Sequence, residues 1–129
     1  MGNPYPAGHP LRLFVPLPGA HEARRVAAAY VEAAAQAFRV GPNDVLGPRG
    51  DDDAVNARFA AMAVCRRELQ WSYSRLGRFF GRDHTTVMYA LKRGWPARLA
   101  ESAAVRARFG NLNRMVAQIN ACRIESKSA

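Results

Sequence analysis

Lysine is nearly absent from this chain: of its 19 basic residues only Lys92 and Lys127 are not arginine. Acid is scarce too, with 10 Asp and Glu and a formal charge of +9. An alanine- and arginine-rich composition is what a GC-rich genome produces by itself. A strongly basic balance also points to an anionic partner, nucleic acid first among them. Composition alone leaves the two readings level.

Other absences narrow the class. Cys65 and Cys122 lie far apart without metal-ligand spacing, and His9, His21 and His84 form no cluster, so reduced thiols and no bound metal or cofactor are expected. No Gly-x-x-x-x-Gly-Lys-Ser/Thr run occurs, which excludes the phosphate-cradling loop of a nucleotide-driven motor and any nucleotide partner. No charged start followed by a long apolar run marks an export signal, and no stretch approaches membrane-spanning length. No nucleophile–base pair stands out, so an enzyme is not expected. A cytoplasmic, nucleoid-associated protein follows from these exclusions.

What the chain does have is helical periodicity. After an irregular arm over residues 1–20, punctuated by Pro4, Pro6, Pro10, Pro16 and Pro18, apolar positions recur at helical spacing. The pattern predicts an all-α, compact helical domain of about six helices over residues 21–121, followed by a polar tail at 122–129. The expected helices run at about 21–39, 54–69, 72–80, 83–93, 96–108 and 111–121. Gly41-Pro42 would end the first, residues 43–53 would form a loop, and Gly94 would stop the fourth. Val26, Tyr30, Ala33, Ala34, Ala37 and Phe38 form the first core stripe. The acidic triplet Asp51-Asp52-Asp53 suits the positive end of a helix.

Charge is concentrated. Residues 54–93 hold eight basic side chains against Glu68 and Asp83. Within them, Gly81-Arg82-Asp83-His84-Thr85-Thr86-Val87 reads as a tight turn followed by a helix start. Gly81 allows the turn, and Asp83 can accept a backbone N–H as a cap. A helix-turn-helix is therefore expected at about 72–93, with short polar groups where a recognition helix meets base edges.

This segment resembles the C-terminal DNA-binding domain of DnaA, the bacterial chromosomal replication initiator, in which a Gly-Arg-Asp-His-Thr-Thr-Val run opens the recognition helix. The likeness extends from Phe38 to Ala90, through Arg58 to Leu69 and Ser74 to Phe80. It implies that Asp83, His84 and Thr85 read bases while Arg82 and Thr86 hold phosphates. Arg58 aligns with a backbone-contacting arginine of the family, and Arg67 stands at a family lysine. Lys92 and Arg93, at the helix end, are further phosphate candidates. The family's loop before the basic helix is rich in cations; here only Arg49 remains to enter a minor groove, followed by three aspartates. The family's paired glycines are replaced by Phe80-Gly81, so a related but altered operator is expected.

The resemblance implies a stand-alone, sequence-specific double-stranded-DNA-binding regulator of transcription, of the kind that activates prophage-like or gene-transfer-agent genes. The alternative is a replication-origin-binding protein that competes with or assists the initiator. Either role leaves room for a protein partner in transcription or replication.

Overall fold

The computed structural model describes residues 19–128, and they are helical almost throughout. Of the arm expected over residues 1–20, residues 1–18, which include an apolar run from Leu11 to Val15, lie outside the described residues, and Ala20 already opens the first helix. Seven α-helices follow in order: α1 (Ala20–Phe38), α2 (Pro42–Leu46), α3 (Asp52–Leu69), α4 (Tyr73–Phe80), α5 (His84–Tyr89), α6 (Trp95–Glu101) and α7 (Ala103–Ser128). A π turn, Ala90–Gly94, joins α5 to α6 without a break, so the described chain forms six continuous helical rods.

The core is built on small residues. Ala23, Ala27, Ala34, Ala35 and Ala37 of α1 are buried, as are Ala54, Ala57, Ala60, Ala61 and Cys65 of α3. Short side chains on both surfaces let two helix axes approach closely. Tyr30, Phe38, Met62, Leu76, Phe80, Val87 and Leu112 fill the remaining volume. Every residue of the expected α1 stripe is buried. The Tyr30 hydroxyl donates to Asn120 Oδ1 at 2.7 Å, fixing α7 to α1.

Several expected boundaries move, each for a physical reason. Residues 43–53 are not all loop, because Pro42 starts α2 and its carboxyl end is capped by tertiary partners described below. The turn after α1 is made at Arg39 (φ 60°), ahead of Gly41-Pro42, and Val40 N–H closes it on the Ala35 carbonyl at 2.9 Å.

Gly94 does not stop the fourth helix. It keeps right-handed helical angles, and a Cβ there would sit 3.0 Å from the Phe59 ring, so this glycine serves a close approach to α3. The widened π turn just before Pro96, with Trp95 N–H donating to the Ala90 carbonyl, accommodates a residue that has no N–H of its own and crowds the preceding turn. The next break falls at Ser102, whose hydroxyl accepts from Val105 N–H at 3.2 Å. From there α7 passes straight through Gly110, so the two helices expected at 96–108 and 111–121 are divided differently.

Candidate nucleic-acid interface

The helix-turn-helix is α4, the turn at Gly81–Asp83, and α5. Ser72 caps α4 by accepting from Arg75 N–H at 3.1 Å. At the other end Gly81 adopts φ 67°, and Arg82 N–H returns to the Gly77 carbonyl at 2.8 Å. Gly77 is the tightest point: a Cβ there would lie 2.4 Å from the Arg82 carbonyl oxygen. No other residue lets α4 and the turn meet this closely, which is why α5 leaves at the angle it does.

Asp83 caps α5. Its Oδ1 accepts from Thr85 N–H at 2.9 Å and from the Thr85 hydroxyl at 2.6 Å, and His84 Nδ1 lies 3.5 Å away. The Thr85 hydroxyl and amide, with the nearby histidine, hold the Asp83 carboxyl below the usual carboxylate range. His84, Thr85 and Thr86 are exposed, while Val87 and Ala90 seat the helix on the core. The outer face continues through Tyr89, Lys92 and Arg93, all exposed. Tyr89 is one of two large apolar side chains exposed among the described residues, at 63 %. It stands four residues after Thr85 and so shares its face; that spacing was the signal available in the sequence, and Tyr89 was not among the expected site residues.

Arg58 and Arg82 are placed otherwise than an outward cation would be. Arg58 is 6 % exposed; its Nε donates to the Val45 carbonyl at 2.8 Å, and one terminal nitrogen donates to the Asp44, Gly47 and Arg49 carbonyls at 2.7–3.1 Å. Arg82 donates to the Leu46 carbonyl at 3.1 Å and to the Phe80 and Gly47 carbonyls at 2.6 Å. Together the two guanidiniums take the carbonyls at the carboxyl end of α2 that a helix terminus leaves without partners. Burial lowers the affinity of both side chains for their protons, and the charge of Arg82 adds to that effect on Arg58. This is how a five-residue helix persists and how the α2–α3 loop is tied to the turn before α5.

The loop cation is engaged as well. Arg49 donates to Asp44 Oδ2 at 2.8 Å and to both Asp51 oxygens, and the Asp51 hydrogen bond raises its pKa. The acidic triplet is divided among three arginines: Asp51 on Arg49, Asp52 3.7 Å from Arg98, and Asp53 on Arg108 at 2.9 Å. Arg67 is exposed but lies toward α7, donating to Asn113 Oδ1 at 2.9 Å and to Glu68 at 3.0 Å. Arg66 donates to the Trp71 carbonyl and stacks 3.9 Å from the Tyr73 ring centre. Of the expected site residues, the structure brings Asp83, His84, Thr85, Thr86, Lys92 and Arg93 onto one helix. Arg58, Arg82 and Arg49 surround the α2–α3 loop beside it, and Arg67 stands apart.

A short capped helix, set by a glycine-tight turn against a second helix and presenting polar and cationic side chains outward, defines a DNA-binding helix-turn-helix domain. The profile described as "Bacterial dnaA protein helix-turn-helix" matches residues 28–93, half of the chain, and the chain belongs to that family. It is 37 % identical over 76 residues to chromosomal replication initiator protein DnaA 1 of Chlamydia trachomatis, covering 59 % of this chain and 17 % of that protein. It is 33 % identical over 103 residues to the chromosomal replication initiator protein DnaA of Mycobacteroides abscessus, covering 80 % of this chain and 20 % of that one. The chain thus spans about a fifth or less of the length of these relatives. The family match begins ten residues before the span from Phe38 to Ala90 and takes in much of α1. No helix among the described residues is long and apolar enough to cross a membrane.

Proposed function

We propose that this chain is a sequence-specific double-stranded-DNA-binding regulator of transcription that reads its operator with the first turns of α5. The carrying observation is the exposed row His84, Thr85, Thr86 and Tyr89 on a helix whose inner face and turn are immobilised by Val87, Gly77 and the Asp83 cap. Polar groups held this rigidly discriminate base edges, while Lys92 and Arg93 fix register through phosphates. Asp83 combines its cap with acceptance from a base amino group, and Tyr89 supplies an apolar face to a thymine methyl. Arg49 is the residue offered to a minor groove once its carboxylate partners release it. Within these 129 residues no phosphate-binding loop occurs, so binding here is independent of ATP.

The runner-up is occupancy of replication-origin boxes, in competition with or in support of the initiator, and it is favoured by the relatives being chromosomal replication initiator proteins. Both readings place the protein in the cytoplasm on the nucleoid and invoke a protein partner. Genome-wide mapping of bound DNA separates them. Enrichment upstream of a set of promoters supports the regulator; enrichment confined to the origin replaces it with the replication role.

A further inference from the structure

We infer that a second phosphate-binding site lies on the far side of α4, built by Arg24, Arg75 and Arg78 on a floor of Trp71 and Phe79, and that it holds the DNA backbone beyond the operator read by α5. The inference rests on the proposed DNA-binding reading. It adds Arg24, which precedes the family match and was not among the expected site residues.

These five residues line one recess of about 340 Å³. Among the described residues no carboxylate pairs with Arg24, Arg75 or Arg78, whereas Arg49, Arg67, Arg98 and Arg108 each stand within 4 Å of one. Three arginines lining one recess, with no carboxylate paired to them among the described residues, form a local potential that an anion relieves. The recess is also organised in advance. Trp71 is buried and packs edge-on to Phe79 at 5.4 Å between ring centres, and the Arg75 guanidinium lies 4.5 Å from the Trp71 ring centre. A stacked guanidinium loses less freedom on meeting a phosphate and keeps its edge donors available.

Placement selects the ligand. Arg78 lines this recess and also a second one formed by Ser74, Gly77, Gly81, Arg82 and His84 at the start of α5. One arginine therefore joins the base-reading end of the recognition helix to Arg24 on α1. A DNA strand passing His84 crosses α4, the helix that lies over the backbone in this motif, and continues onto the recess. A phosphodiester is the occupant that both recesses share. An acidic protein segment satisfies the charge but not the continuity with α5.

The test compares two duplexes carrying the same selected operator, one trimmed to it and one extended by about one helical turn, 10 bp, on each side. Binding is titrated at several salt concentrations with wild type, Arg24→Ala and Arg24→Lys; circular dichroism checks that each variant folds. For wild type the salt slope is steeper on the extended duplex. Arg24→Ala lowers that slope by about 0.9, one phosphate contact, on the extended duplex and leaves the trimmed duplex unchanged. Arg24→Lys restores most of it. Equal slopes for wild type and Arg24→Ala on the extended duplex overturn the inference, and an acidic protein occupant gives that same result. If wild type binds neither duplex, the DNA-binding reading itself fails; if it binds both alike with its preference intact, only the second site fails.

Discussion

Two neighbouring regions of this protein carry arginines to opposite ends. In the α2–α3 loop, Arg58 and Arg82 donate to backbone carbonyls and Arg49 is closed on Asp44 and Asp51. On the outer faces of α4 and the α5 rod, Arg78, Lys92 and Arg93 have no carboxylate partner among the described residues. The first group makes the platform, and the second is the group proposed above to meet phosphate. Net charge does not distinguish them, because a guanidinium satisfied by carbonyls counts the same as one facing phosphate. For a domain with this much arginine, the number of cations overstates the number available to DNA.

The contrast is broken most forcefully at Arg58. Arg58→Ala takes the side-chain donor from the Asp44, Val45 and Arg49 carbonyls and leaves Gly47 to Arg82 alone, and is expected to lower stability by roughly 2–4 kcal/mol, read as a fall in the urea midpoint. Arg58→Lys does not rescue it, since an ammonium lacks the planar fork that spans Val45 and Arg49. A variant of unchanged midpoint but weaker DNA binding would move Arg58 into the contact group.

Gly77→Ala drives a Cβ toward the Arg82 carbonyl and is expected to cost about 1–3 kcal/mol while tilting α5. It should therefore reduce both the thermal midpoint and operator preference. Lys92→Ala and Arg93→Ala sharpen the other side of the contrast. Each should reduce the salt slope of binding by about 0.9 on operator and random duplex alike, with the urea midpoint unmoved.

The smallest effect is at the cap. The Asp83 pKa is depressed in the folded protein, so its contribution is complete above the ordinary Asp value of about 3.9 and is lost as pH falls through the lower folded value. Protection of the Thr85 amide from hydrogen exchange should follow that acid titration. Asp83→Asn should remove the pH dependence, and an unaltered profile would show that the carboxylate is not what holds the amide.

Local features of the site were legible in the sequence because local chemistry determines them. Gly81 at positive φ, Asp83 as cap and the buried α1 stripe all follow from spacing and residue type. The destinations of Arg58 and Arg82 were not, because their partners, Phe80 apart, are main-chain carbonyls 9–14 and 35–36 positions away in sequence, which no motif records. The same holds for Gly94 and Gly110. A glycine reads as a helix stop unless one knows that Phe59 packs on it or that a 26-residue helix continues past it. Helix α2 was hidden for a related reason: Pro42 and the Asp44 cap start it, but its carboxyl end is held by two arginines distant in sequence.

The most direct measurement is selection of bound duplexes from a random-sequence pool by wild type and by His84→Ala at one fixed salt concentration. A platform that presents α5 to bases predicts that wild type enriches a single motif. His84→Ala should lose discrimination of roughly 1–3 kcal/mol at one or two adjacent positions of that motif and retain the rest. Enrichment of no motif by wild type, or of an identical motif by His84→Ala, would contradict the assignment of α5 as the reading helix.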